Sequence, residues 1–424
     1  MTANPRIGYV GMTHLGVCSS IAGASKGFPM LGFSPDHDLV AALAAGRLPV
    51  VEPDLDDLLR ANTANIRFSS EAKDLGGCDV IYVAPDIPTD DAGRSDLTPI
   101  DALLSLTFDH ARHDAVIVVL SQVPPGFTRQ RQRAGRRLYY QVETLIFGRA
   151  VERATKPERF IVGCVDPSAS IAEPLAQYLG AFGCPILPMR YESAELAKIA
   201  INCCLVASVT TANTLAEICE RIGADWSEIV PALKLDRRIG QYSYLSPGLG
   251  IAGGNLERDL ATVVALGDCH GTDVGVVRAW QSNSHYRCDW TLRTLHGAVF
   301  AQNPDAKLAL LGLAYKENTH STKNSPSLAL LRALPPVAVA AYDPVVAPQS
   351  DWHAALTQAP SALAACAGAD ALVVMTPWPQ FRELRPHDIA ARLRGKSVID
   401  PFGCLDRAAC KAAGLTHHIL GVSG

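Results

Sequence analysis

Short apolar runs alternate with helix-length segments over residues 1–190. "RIGYV", "PMLGFS", "VIYVAP", "AVIVVLS" and "RFIVGC" each read as a strand buried on both faces, with "VCSSIAGASKG" and "DHDLVAALAAG" between the early ones. That alternation predicts a doubly wound parallel sheet. Over residues 191–300 the period changes. "SAELAKIAINCCLVASVTTANTLAEICERIG" has no proline and no internal glycine, and Leu196, Ile199, Ala200, Cys203, Cys204 and Val206 recur at three- and four-residue steps. The spacing predicts one long, largely buried helix, with "SEIVPALK" and "DLATVVALGDCH" adding more. From 301 to 424 the first pattern returns in "KLALLGLAY", "VAVAAYDP", "ALVVMTP" and "SVIDP". The expected fold class is therefore α/β, with two doubly wound domains (1–190 and 301–424) joined by a central long-helix region (191–300).

Composition narrows the function. A chain of 424 residues is too long for one core, and 48% hydrophobic with 19% charged residues describes a folded protein. The net charge of −4 comes without a long basic run, which argues against a nucleic-acid partner. The start "MTANPRIGYVG" lacks a basic segment followed by an apolar one, and no long uncharged apolar run stands out. Neither a signal peptide nor a membrane span is expected, and the expected location is cytoplasmic. Twelve cysteines are scattered without CxxC or Cys/His metal spacing. They read as reduced, mostly buried thiols with no metal.

Two loops carry candidate chemistry. After the first strand comes Gly11-Met12-Thr13-His14-Leu15-Gly16, in the strand–turn–helix position of a dinucleotide loop but as G-x-T-x-x-G. The second glycine of the usual pattern lets the backbone approach a pyrophosphate. Thr13 would crowd it, although its hydroxyl could donate to a phosphate oxygen, so Thr13→Gly is expected to tighten binding. Ser34 ends the second strand where an acidic residue normally takes the ribose hydroxyls, and Asp36 follows. No arginine stands nearby for a 2′-phosphate, so NAD is favoured over NADP. The alternative is a purely structural βαβ unit. The second loop, "LSPGLGIAGGNLERDLATVVA" (245–265), runs from glycines through the polar Asn255 to Arg258 and Asp259 at the start of an apolar helical pattern. An amide can hold a ligand there but cannot act as a covalent nucleophile.

Several segments, in order, resemble the UDP-glucose/GDP-mannose dehydrogenases over nearly the whole chain. "GRLPVVEPDLDDLL" (46–59) is similar to the family's G-x-x-P-x-x-E-P-x-L-x-x-L. "VAPDIPTDDAGRSDL" (83–97) resembles its third-strand loop, "SQVPPGFT" (121–128) its S-T-V-P-x-G-T, and "SAELAKIAINCCL" (193–205) its S-A-E-L-x-K-x-x-x-N helix. "LDRRIG" (235–240) and "GLAYKENTHSTKNSPS" (312–327) complete the series. The resemblance implies two Rossmann-like domains, NAD at the first and a nucleotide sugar at the last, and a homodimer through the central helix. It implies oxidation of a sugar C6 hydroxymethyl in two steps, the second through a cysteine thiohemiacetal. That cysteine belongs to a G-x-G-G-S-C-F-x-K-D loop, and here Asn255 takes its place, with Arg258 for the lysine.

Residue by residue, the resemblance gives catalytic positions to Lys198, Asn202, Asp259 and Glu143, beside Asn255. Cofactor positions fall on Gly11, Thr13, Gly16, Ser34, Ser121 and Lys323, and substrate positions on Arg238, Tyr244, Gly250, Gly253 and Lys316. Gln122 stands for the family's threonine near the reacting carbon and Phe147 for a second glutamate. "VIDPFGCLD" (398–406) lacks the arginine that reaches the partner's sugar site. Each retained polar residue also has a structural reading: a snorkelling lysine, a helix–helix amide, a loop ion pair, a helix-terminal charge. Three functions stay open. They are a dehydrogenase that stops at the 6-aldehyde, a non-catalytic sugar-nucleotide binder or regulatory subunit, and an enzyme for a substrate other than a hexose nucleotide.

Overall fold

The structure is a computed structural model that describes residues 4–90 and 93–423. The first three residues of the opening stretch and two residues of the 83–97 segment thus lie outside it. The chain divides into two compact units, residues 1–201 and 202–424.

The first unit is built on eight strands. They are β1 (Ile7–Val10), β2 (Met30–Phe33), β3 (Ile66–Ser69), β4 (Val80–Val83), β5 (Val116–Val119), β6 (Arg137–Gln141), β7 (Phe160–Cys164) and β8 (Ile186–Arg190), in the order β3-β2-β1-β4-β5-β6-β7-β8. The strands that read as apolar runs are the buried ones. Ile7, Tyr9, Val80, Tyr82, Val116 and Val118 face one hydrophobic cluster, and Val10, Ile81, Val83, Ile117 and Val119 face the other. Both faces are covered, as a doubly wound sheet requires. Fully burying one such aliphatic side chain stabilises the fold by about 1.5–3 kcal/mol. The sheet is parallel as expected except at one seam. β6 pairs antiparallel with β7 through Tyr140 and Gln141, whereas its pairing with β5 is parallel. Strands β3, β6 and β8 gave no apolar run in the sequence because each is only partly buried.

Two short helices matter for the site in this unit: α1 (His14–Ser25) after β1, and α2 (His37–Ala44) after β2. A long helix, α3 (Tyr191–Ile222), begins in the first unit and continues into the second. It is less buried than its apolar pattern suggested. Ile199, Val206 and Cys219 are buried, yet Leu196, Leu215, Ile218 and Ile222 are exposed. Its length and mean hydropathy of 1.5 also meet the criteria for a membrane span, which the sequence reading had not anticipated. Glu195, Asn202 and Asn213 on it are buried and accept or donate hydrogen bonds within the protein.

The second unit contains helices α4 (Asn255–His270) and α5 (Gly275–Cys288) and a six-stranded sheet. Its strands are β9 (Leu308–Leu311), β10 (Val339–Tyr342), β11 (Leu356–Gln358), β12 (Ala371–Val374), β13 (Ser397–Ile399) and β14 (Thr416–His418), in the order β11-β10-β9-β12-β13-β14. All its pairings are parallel. Helix α6 (Pro326–Ala333) follows β9. Again alternate residues of one strand serve opposite cores: Leu308 and Leu310 one side, Ala309 and Leu311 the other.

Candidate functional site

The glycine loop in the first unit is shaped by steric necessity. Gly11 has φ +95°, and a Cβ there would lie 2.8 Å from the backbone nitrogen of Pro85. A Cβ on Gly16 would lie 1.9 Å from the Gly11 carbonyl oxygen. Both positions therefore require glycine. Thr13 N-caps α1 without a side-chain cap bond, and the first turn carries no acidic residue. His14 N at this helix start donates to Asp86 Oδ2 at 3.3 Å, and the positive end of the helix suits an anion such as pyrophosphate. The hydroxyl of Thr13 is committed elsewhere. It accepts from Asp86 N at 2.9 Å and lies 3.4 Å from Ala84 O, tying the glycine loop to the loop after β4. Ser34 is buried and its hydroxyl accepts from Asp36 N, while Asp36 caps α2 by accepting from Leu39 N. Ser121 is buried, and its hydroxyl donates to Pro85 O.

Two acids the sequence had not marked hold loops in this unit: Glu52 the loop of residues 143–150, and Glu195 the turn at residues 126–128. Glu52 has no side-chain exposure and accepts from Gly148 N at 2.9 Å, Ala150 N at 3.2 Å and His14 Nε2 at 2.8 Å. Burial pushes its carboxyl up, and these hydrogen bonds outweigh that and hold it below the usual range. A depressed carboxylate stabilises the fold above its ordinary range, and that contribution fades as pH falls through the folded value. Phe147, in the same loop, stacks on His14 with ring centroids 4.2 Å apart. Glu195, fully buried on α3, accepts from Gly126 N at 2.6 Å and Thr128 N at 2.8 Å, and so clamps the turn that follows Gln122. Burial raises its carboxyl. Both glutamates lie inside quoted motif segments. An acid amid apolar neighbours was the signal available for them.

Lys198 Nζ lies 3.6 Å from Glu143 Oε2, with 13% and 15% of the two side chains exposed. Glu143 also accepts from Leu145 N. The structure therefore brings two predicted catalytic residues into one ion pair.

In the second unit Asn202 Nδ2 donates to Asp259 Oδ2 at 2.5 Å, with both residues buried. Arg258 Nε lies 3.5 Å from Asp259 Oδ1. Asn255 is the first residue of α4 and is exposed. The glycine turn before it is gripped on one side by α5. Ile251 N donates to Ser284 Oγ at 2.7 Å, and Cys288 Sγ donates to Leu249 O at 3.1 Å. Gly250 has φ +79°, and a Cβ there would strike Ser284 O at 2.4 Å. Gly253 has φ +81° and faces the Tyr315 ring.

Cys288 and Cys203 are the thiols whose surroundings overlap this turn and Asp259. Burial pushes each up to about 11, with Asp259 adding to the effect at Cys203 and Asp289 and Glu257 at Cys288. Both are protonated near neutral pH, so neither offers a thiolate in place of the missing cysteine. All twelve cysteines are free. Among the described residues no three His, Cys, Asp or Glu side chains gather as a metal site.

The substrate positions are more dispersed. Arg238 is exposed and pairs with Asp236 at 2.6 Å. Tyr244 is half exposed. Lys316 Nζ sits 5.7 Å from the Tyr315 ring centroid. Lys323 is exposed, and its charge acts on Glu257. Asn324, which the sequence had not singled out, donates to Gly253 O at 2.9 Å and to Glu257.

A dinucleotide cradle and a second parallel sheet with its own lysine loop define a two-sheet α/β oxidoreductase fold. The chain belongs to the UDP-glucose/GDP-mannose dehydrogenase family: its NAD binding domain matches residues 5–177, its central domain 192–285 and its UDP binding domain 309–407. NAD is accordingly the cofactor. Among relatives, UDP-glucose 6-dehydrogenase TuaD of Bacillus subtilis is 28% identical, over 98% of this chain and 93% of its own. UDP-glucose 6-dehydrogenase of Pseudomonas aeruginosa is 28% identical, over 93% and 92%. Among solved structures, a UDP-glucose dehydrogenase from Pyrobaculum islandicum superposes with TM-score 0.86 at 24% identity, covering 100% and 99% of the two chains. UDP-D-ManNAc dehydrogenase from Pyrococcus horikoshii gives 0.84 at 23%, covering 98% and 99%.

Proposed function

We propose that the protein oxidises the C6 hydroxymethyl of a UDP-glucose-like nucleotide sugar once and releases the 6-aldehyde. The observation that carries this reading is Asn255, exposed at the start of α4 in the place the family gives its cysteine, with the thiols around that turn held protonated. NAD+ supplies the acceptor for the hydride that leaves C6. The loop of Gly11, Thr13 and Gly16, with Ser34, Ser121 and Lys323, holds it. Lys198 stabilises the negative charge that develops on the C6 oxygen, and Glu143 beside it serves acid–base work. The Asn202–Asp259 pair holds a water that takes the hydroxyl proton. The Asn255 amide hydrogen-bonds the C6 oxygen or that water. Its nitrogen electron pair is delocalised into the amide carbonyl and does not add to an aldehyde carbon, so no covalent intermediate forms. Arg238, Tyr244, Gly250, Gly253 and Lys316 receive the sugar nucleotide. In this reading residues 1–190 serve cofactor binding, 191–300 assembly and 301–424 nucleotide-sugar binding. The test is product trapping. With UDP-glucose and NAD+, a hydroxylamine reagent is expected to yield an oxime, and a uronate as the sole product would defeat the reading.

A second reading, a non-catalytic binder, is favoured by Thr13, which fills the place of the second glycine. Thr13→Ser separates the two readings. It keeps the hydroxyl that ties Ala84 and Asp86 and removes the methyl that crowds the cradle. NAD+ is expected to bind about three- to tenfold more tightly, equivalent to relieving about 1 kcal/mol of overlap. Titration calorimetry that detects no NAD+ binding by either folded form supports the binder.

The assembly we infer is a homodimer through α3. Leu215, Ile218 and Ile222 on this helix are 41–70% exposed and recur at three- and four-residue steps, which makes an apolar stripe suited to an isologous contact. Light scattering at micromolar concentration is expected to give the mass of two chains, and Ile218→Glu that of one. A monomeric unmodified protein would refute this.

A further inference from the structure

The turn that presents Asn255 is held on one side by α5, and the contact on its other side has no role in the chemistry described so far. That contact comes from residues 315–325. This loop is itself fixed to the end of β9: Tyr315 N donates to Ser321 O at 3.0 Å, Ser325 Oγ to Leu313 O at 2.8 Å, and Ser327 Oγ to Gly312 O at 2.8 Å. At its end Asn324 adopts φ +50°, a left-handed conformation that few residues other than glycine and asparagine accept readily. In that conformation its amide reaches two acceptors at once, Gly253 O at 2.9 Å and the Glu257 carboxylate in the first turn of α4. One acceptor lies two residues before Asn255 and the other two residues after it. The ring of Tyr315, from the same loop, packs on Gly253.

We propose that Asn324 is a positioning residue that fixes Asn255 by bracing the turn and the first turn of α4 from the loop that carries Lys316. The sugar-nucleotide end and the reacting end of the substrate would then be registered by one piece of structure. This rests on the roles given above to Asn255 and Lys316. Glu257 suits the task. It is half-buried, which raises its carboxyl, while His285 of α5, Lys323 and the Asn324 amide favour its charged form. The Cys288 thiol is the other titratable group that faces it. A hydrogen bond to an ionised carboxylate is stronger than one between neutral groups.

The test uses the full-length protein and three variants. Asn324→Ala removes both bonds. Its kcat for the first oxidation is expected to fall about 10- to 100-fold, the effect of slight misplacement at a reacting centre. KM for UDP-glucose is expected to change by less than about threefold, because ground-state binding is untouched. Asn324→Asp sets a carboxylate against Glu257 and is expected to be at least as slow. Adding Glu257→Gln restores one donor–acceptor pair with reversed polarity and is expected to recover part of the rate. Hydrogen exchange in the cofactor-free protein gives a readout that needs no turnover. In Asn324→Ala the backbone amides of residues 249–256 are expected to exchange about tenfold faster, with the two sheets unchanged. Equal exchange in both forms, a KM rise in place of the kcat loss, or no recovery in Asn324→Asp/Glu257→Gln would overturn the proposal. An unmodified protein that makes no NADH defeats the dehydrogenase reading, and the exchange contrast still decides whether Asn324 braces the turn.

Discussion

In a single turnover the unmodified protein is expected to release about one NADH per nucleotide sugar, and Asn255→Cys to raise that number toward two. An aldehyde carbon has no hydride to give until a nucleophile adds to it. A thiolate adds readily and leaves a tetrahedral carbon from which a second hydride can depart. Asn255 cannot, and burial keeps the Cys203 and Cys288 thiols near 11, out of the nucleophilic state. Water is then the remaining nucleophile, and the second step is slow. Cysteine is smaller than the asparagine it replaces, and position 255 is an exposed helix start, so the substitution needs no repacking. Recovery in Asn255→Cys is expected to be partial, because Gln122 and Phe147 stand where the family has a threonine and a glutamate. Rapid-mixing absorbance of NADH with limiting UDP-glucose makes the count. Two NADH and a uronate from the unmodified protein would show that water attack suffices.

Lys198→Ala is expected to lower the rate of the first oxidation about 10²–10³-fold, the loss typical of removing one donor to a developing oxyanion. The ammonium is 13% exposed and its partner Glu143 is 15% exposed, so little water reaches either group to replace the lost charge. The same substitution leaves Glu143 without that partner, so a thermal melt accompanies the kinetics. Lys198→Arg keeps the cation and is expected to retain most of the stability while losing rate through misplacement. NAD+ affinity measured by calorimetry is expected to stay within about threefold of the unmodified value. A first-step rate unchanged in Lys198→Ala would assign the residue to the ion pair alone.

Local pattern was enough for the strands buried on both faces. "VIYVAP" and "AVIVVLS" became β4 and β5, and "KLALLGLAY" became β9, because a central parallel strand must be apolar on successive residues. It was enough also for the glycines at 11 and 16, where a backbone turn admits no Cβ, and for the helix that follows the second glycine turn, which the pattern began at Arg258 and Asp259 and the structure begins at Asn255. Strands β3 and β11 at sheet edges and β6 beside the antiparallel seam escaped notice. They are half solvated, and their pairing is decided by neighbours far along the chain.

The same distinction runs through the candidate site. The sequence alone determined which residue type stands at each position: an amide at 255, a threonine at 13, a lysine and an asparagine one turn apart on α3. Tertiary structure decided what those side chains do. Thr13 is turned to the loop after β4, 71 and 73 residues away, and Glu52 holds a turn 96 and 98 residues on. Cys288 is half-buried against the turn before Asn255 and kept as a thiol, and Asn324 reaches Gly253 across 71 residues. Periodicity and motif spacing report contacts within a few residues, whereas burial and hydrogen-bond partners depend on which distant segments the fold packs together, and those set protonation and orientation.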